Sequence, residues 1–149
     1  MAGKSGVSLN WGGFDKAVVG AARRMVNRKA LLATIGDALV SGTIERFGQE
    51  EAPDGTAWPL SHRAAAEGGK TLMDTARLRN SINSQATDDL VMVGSNVAYA
   101  RIHQLGGKAG RGHKVTLPPR PYLGVSKTDI EEVKGILADF LSGAFSIKR

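Results

Sequence analysis

The chain contains no cysteine. Disulfides, thiolate-bound zinc, iron–sulfur clusters and a cysteine nucleophile are therefore excluded, and nothing in the composition points to an oxidising compartment. Aromatic residues make up only 5% of the 149 positions, so a core has to be built mainly from aliphatic side chains. No apolar run approaches the roughly 20 residues needed to span a bilayer. Residues 1–10 also lack the apolar stretch of a signal peptide, and the expectation is a soluble, non-secreted protein with no membrane partner. One further absence is local: no acid lies between Asp89 and Asp129.

What is present begins with glycine, 19 of 149 residues against the roughly 7% usual in globular chains, which points to a loop-rich molecule. Net charge is +6 with a pI near 9.9, enough to favour polyanions without naming one. A flexible arm over 1–13 is expected, followed by a single domain over 14–149. Phe14, Val18, Ala21 and Met25, then Leu32, Ile35 and Leu39, recur at steps of three and four, the period of a helix. Arg28 and Gly42 interrupt that seam, which predicts two helices or one kinked helix over about 14–47, with Gly48 at the C′ position.

Pro53-Asp54-Gly55 specifies a tight turn that delivers Trp58. Ser61 caps a short helix to Glu67, stopped by Gly68-Gly69. Residues 81–86 and 90–94 flank Thr87-Asp88-Asp89 and predict a β-hairpin. Asn96 is placed to cap a helix carrying Val97, Tyr99, Ile102 and Leu105 and closed by Gly106-Gly107. A glycine-rich basic loop over 106–114 then leads into a strand at 115–117. Residues 118–124, with three prolines, must be extended and are expected at a sheet edge or across a surface. Thr128 with Glu131 forms a capping box for a last helix whose buried stripe is Ile130, Val133, Leu137, Phe140 and Leu141. The fold class is α+β: helices packed on a small antiparallel sheet, with a long or kinked N-terminal helix and a C-terminal helix.

Motifs for chemistry are thin. Gly68-Gly69-Lys70-Thr71 resembles the end of a phosphate loop, but its first glycine is replaced by Ala64 and the preceding segment reads as helix rather than strand, so a helix C-terminus is the better reading. His62, His103 and His113 lack metal-ligand spacing and nearby carboxylates, and read as surface or hydrogen-bonded residues. No serine sits in a nucleophile elbow. No catalytic residue, metal or cofactor is assigned. The acid-free stretch carries Arg101, Lys108, Arg111, Lys114, Arg120 and Lys127. It reads equally as a solvated basic face and as a surface for nucleic acid or an acidic partner.

Five blocks in order carry a family resemblance: Phe47; residues 53–60; residues 72–82; residues 94–107; and residues 119–124, Pro-Arg-Pro-Tyr-Leu-Gly. Together they resemble the phage virion-morphogenesis family, the tail-completion (protein S-like) group of Mu-like and other tailed phages, over about residues 30–141. Where that family usually has Thr-Gly-Arg-Leu, this chain has Thr75-Ala76-Arg77-Leu78, which argues against a positive-φ turn at 76. The resemblance implies a non-enzymatic assembly protein that completes the tail or joins it to the head, as a homo-oligomeric ring at the neck. It implies contacts with head-connector and tail-tube or tail-terminator proteins, non-specific contact with DNA, and a place in the virion after assembly in the host cytoplasm. Within the matched blocks Trp58, Tyr99 and Leu123 are assigned to packing. Arg120 and His103-Gln104 are assigned to contacts between subunits or with backbone, and Arg101, Lys108, Arg111 and Lys114 to a partner or DNA. Arg120→Ala is expected to leave the monomer folded while blocking head–tail joining.

Overall fold

The computed structural model describes residues 28–145. The expected arm 1–13 and the expected helical segment 14–27 lie outside the described residues. Helix α1 (Arg28–Gln49) is the spine of the fold and buries Leu31, Leu32, Ile35, Leu39, Thr43, Arg46 and Phe47 along one stripe. It runs unbroken through Gly42 rather than kinking there, and Gly36 and Gly42 serve close approach of other elements. A Cβ at Gly36 would lie 2.8 Å from Ser84 Oγ and from Val91 Cγ2, and one at Gly42 would overlap Asp129 Oδ1.

The helix also runs past Gly48, and the left-handed residue that ends it is Glu50, with φ 59°. The Glu50 N–H donates to Arg46 O at 2.7 Å. Glu50 is held in that conformation from both ends: its carboxylate accepts the Thr71 N–H at 2.6 Å and its carbonyl accepts the Trp58 N–H at 2.8 Å. The turn at Pro53-Asp54-Gly55 forms as expected, with the Gly55 N–H donating to Ala52 O and Asp54 accepting from Thr56 N–H. That hydrogen bond holds the exposed Asp54 carboxyl below its ordinary pKa. The turn returns the chain to α1 and places Trp58 in the core at 7% exposure.

Helix α2 (His62–Glu67) is capped by Ser61 Oγ, which accepts the Ala64 N–H, and ends at Gly68 with φ 78°. Helix α3 (Arg77–Asn80) begins after Ala76, whose φ is 57°. The positive-φ turn is thus kept although the residue there is alanine. Strands β1 (Asn83–Ala86) and β2 (Val91–Gly94) pair antiparallel, Ala86 opposite Val91, and the Thr87 N–H closes the turn on Leu90 O. Ala86, Val91 and Val93 face α1, and the alternate positions Gln85 and Met92 face solvent.

Helix α4 (Ala100–Leu105) starts later than expected. Asn96 does not cap it; the Val97 N–H is taken instead by Ser95 Oγ at 3.1 Å, and the N-cap position belongs to Tyr99, without a side-chain cap. Gly106, φ 73°, closes the helix as expected. The segment expected as a loop over 106–114 is part of a second hairpin: β3 (Gly107–Ala109) pairs with β4 (Val115–Leu117) through a tip that includes a 3₁₀ turn at Arg111–His113.

The proline segment is extended yet not superficial. Tyr122 is 1% exposed, Arg120 4% and Leu123 8%. Helix α5 (Lys127–Phe145) is started by Ser126 and Asp129 rather than by Thr128 and Glu131. Asp129 N–H donates to Ser126 Oγ at 3.0 Å and Ser126 N–H donates to Asp129 Oδ2 at 2.9 Å, a reciprocal box. Val133, Ile136, Leu137 and Phe140 face α1, whereas Ile130 is exposed.

Two apolar clusters result. One joins the first half of α1 to α5 and the β1–β2 hairpin around Leu31, Leu32, Ile35, Leu39 and Val133. The other gathers Phe47, Trp58, Leu78, Ile82, Ala100, Tyr122 and Leu123. Phe47 is its centre, with ring centroids 5.6 Å from Trp58 and 5.3 Å from Tyr122. The architecture is α+β, with helices against small antiparallel two-stranded sheets.

Candidate interaction surface

The proline segment is held by hydrogen bonds from three directions, which its own prolines cannot supply because they carry no N–H. Gln104, on α4, accepts the N–H groups of Tyr122 and Leu123 at 3.0 Å each and donates to Leu123 O at 3.1 Å. Trp58 Nε1 donates to Pro121 O at 2.8 Å. Arg46, from α1, donates through Nε to Tyr122 O at 3.0 Å and through Nη2 to Gly124 O at 3.0 Å and to Thr43 Oγ1 at 2.9 Å. Its Nη1 meets Asp129 Oδ2 at 2.7 Å, with both side chains nearly sealed from solvent. Tyr122 in turn donates its hydroxyl to Ala100 O at 2.7 Å, and burial pushes its pKa up to about 12.

Sequence reasoning missed the Arg46–Asp129 pair. Its signal was a cation inside the apolar stripe: Leu39, Thr43, Arg46 and Phe47 share one face of α1, and a buried guanidinium there requires acceptors.

Arg120 takes the backbone alternative of the two that the sequence offered. It is buried, its Nε donates to Pro59 O at 2.6 Å and its backbone N–H donates to His103 O at 2.8 Å. Its alanine variant is therefore expected to harm the fold itself, against the sequence-based expectation. Gln104 is likewise internal, one of the two alternatives the sequence offered. His103 is half-buried, and its Nδ1 is sealed from solvent without a hydrogen-bond partner among the described residues. Burial, and then the Arg120 charge, hold its pKa below the ordinary histidine value. Trp58 and Leu123 are core residues as assigned, but Tyr99 is 39% exposed and touches His103 edge-on, with ring centroids 5.8 Å apart.

Arg101, Lys108, Arg111 and Lys114 are exposed, and none forms an ion pair among the described residues. The last three sit on the β3–β4 ribbon. Among the described residues neither apolar cluster includes a ribbon residue, and the ribbon is fastened to the rest at its root. Gly106 makes that fastening possible: a Cβ there would come within 2.8 Å of Pro119 N and 2.9 Å of Leu117 O. The tip turns through left-handed backbone at Gly110, Gly112 and His113. Lys108 lies opposite Thr116 on one face of the ribbon, while Ala109 lies opposite Val115 on the other.

The phosphate-loop resemblance dissolves into structure. The segment before it is helix α2, the Thr71 N–H is taken by Glu50, Thr71 Oγ1 accepts the Ser61 N–H, and Lys70 Nζ donates to Gly48 O. Among the described residues no group of three His, Cys, Asp or Glu could hold a metal ion, and no helix is long and apolar enough to cross a membrane.

A curated relative, the Mu-like prophage FluMu G protein 2 of Haemophilus influenzae, is 34% identical over 119 residues, 80% of this chain and 82% of the relative. The putative capsid assembly protein G of Escherichia phage Mu is 29% identical over 128 residues, 78% of this chain and 81% of its own length. Mu-like prophage FluMu G protein 1 of H. influenzae is 31% identical over 105 residues, 64% of this chain and 67% of the relative. No solved structure matches. The model of the phage virion morphogenesis family matches residues 9–142, which include α1, both hairpins and the proline clamp, and the chain belongs to that family.

Proposed function

We propose that this chain is a non-enzymatic virion assembly subunit that completes the tail or joins it to the head, acting as a homo-oligomeric ring at the neck. The observation that carries the reading is the family match over residues 9–142; a relative described as a putative capsid assembly protein supports the same class of role. The geometry is compatible with it. The inward-facing polar groups of Arg46, Gln104, Arg120 and Asp129 are used to hold the proline segment and the helix ends, while the exposed Lys108, Arg111 and Lys114 lie on a ribbon outside both apolar clusters of the described residues. Electron microscopy of purified virion necks tests the reading. The expected result is ring density at the head–tail junction that accepts this fold; an intact neck without it would refute the proposal.

A second reading is favoured by one observation: Arg101, Lys108, Arg111, Lys114 and Lys127 are all exposed within a stretch free of acids. Such a surface can contact DNA phosphates without reading sequence. Duplex binding that weakens steeply with salt, in step with loss of these side chains, would support it.

A further inference from the structure

The two hairpins of this chain differ in a complementary way. At the β1–β2 turn Asp88 and Asp89 are exposed, and next to them Leu90 is 47% exposed and Met92 41%. Leu90 and Met92 have the same parity along the strand, the one that faces away from α1. Asp89 reaches Arg28 at 3.5 Å, yet its side chain stays 77% exposed. The β3–β4 ribbon presents the opposite charge, Arg111 and Lys114 at its tip, with Val115 51% exposed beside them and Leu105 60% exposed at its root. Each sheet has only two strands, so the outer edges find no third strand among the described residues.

We infer that the acidic β1–β2 hairpin of one copy is the docking site for the basic β3–β4 ribbon of the next copy. The inference rests on the ring reading and supplies its interface. Apolar side chains that are singly exposed mean little, but here Leu90 and Met92 adjoin the exposed carboxylates of Asp88 and Asp89, and Val115 adjoins the exposed cations Arg111 and Lys114, so the two surfaces carry opposite charge. A ribbon cannot dock on another ribbon without bringing Arg111 and Lys114 against their own kind, and the same holds for Asp88 and Asp89. The contact is therefore heterologous: each copy offers one ribbon and one hairpin, so every contact leaves a further ribbon and a further hairpin free until a ring closes.

Charge exchange on the full-length chain tests this, with oligomers followed by sedimentation against protein concentration and at two salt concentrations. Arg111→Glu with Lys114→Glu, and separately Asp88→Lys with Asp89→Lys, are each expected to raise the concentration needed for assembly by at least about tenfold. An equimolar mixture of the two variants is expected to assemble again, since every contact in an alternating ring then joins opposite charges. Should the acidic-turn variant melt early, Met92→Ser, at an outward-facing position, tests the same surface and is expected to weaken assembly. A wild type that assembles while both exchanges assemble equally well overturns this interface but leaves the ring reading standing. A wild type that stays monomeric at every concentration overturns the ring reading and this inference with it. Exchanges that abolish duplex DNA binding without altering assembly assign the ribbon to DNA and overturn the inference.

Discussion

Arg46 joins three parts of the chain that are far apart in sequence: its own helix at Thr43, the proline segment at Tyr122 and Gly124, and the start of α5 at Asp129. Removing one partner of a sealed ion pair strands the other, at a cost of about 3–5 kcal/mol. Arg46→Ala is accordingly expected to lose about that much in urea unfolding, and a loss under 1 kcal/mol would show that water or another cation replaces it. His103 gives a pH-dependent counterpart. Its folded pKa lies below the unfolded value of about 6.5, so as pH falls through 6.5 the unfolded chain takes up the proton first. The neutral imidazole's contribution is complete above that pH and is lost toward the lower folded pKa. Wild type should therefore lose more stability between pH 7.5 and 5.5 than His103→Gln does, as measured by denaturant midpoints; equal losses would remove His103 as the cause. At this scale the sequence was least legible. The sequence leaves Arg120 and Gln104 open between contacts with another subunit and with backbone, and only the closure of the proline segment over α4 and the turn after Trp58 decides for backbone.

Elements were easier to read than their ends. The hairpin at Thr87-Asp88-Asp89, the Ser61-capped helix and the α5 helix follow from local turn chemistry and periodicity, and all three form, although Ile130 of the expected α5 stripe is exposed. Caps were misplaced wherever two candidates stood close together and a distant contact chose between them. Asp129 is chosen over Glu131 because Arg46 holds it, and Glu50 over Gly48 because Thr71 and Trp58 hold it. Helical glycine was misread for a related reason. Gly42 suggests a break, but its use is to admit Asp129 against α1. Alanine in a helix interior normally gains about 1 kcal/mol over glycine. Gly135→Ala, where nothing lies within 4 Å of the new methyl, is expected to gain about that amount. Gly42→Ala, where the methyl would overlap Asp129 Oδ1, is expected instead to lose about 1–3 kcal/mol through overpacking and a disturbed ion pair. Thermal melts of the two variants should move in opposite directions; a shared direction would mean that α5 shifts freely on α1.

At the scale of the whole molecule, the described residues divide into a core built on two apolar clusters and a ribbon outside both. Every residue of both apolar clusters lies outside 106–117, and the clamp on the proline segment is built by Arg46, Trp58 and Gln104. The acid-free composition of this stretch was visible in the sequence, but its hairpin geometry was not, since strands of only three residues carry little apolar periodicity. Replacing residues 108–116 by a two-residue Asn-Gly turn keeps Gly106, Leu117 and Pro119, the contacts at the root. Such a turn suits a short hairpin, because its backbone twist matches that of the flanking strands. The shortened protein is therefore expected to unfold at a urea midpoint close to wild type, since little apolar area is exposed. It should at the same time fail to assemble and fail to restore virions in a complementation assay. A large drop in midpoint would place the ribbon inside the folding unit, and normal virion yield would remove it from assembly. The pairing of an unchanged midpoint with lost assembly is the result that separates a projecting interaction element from a structural one.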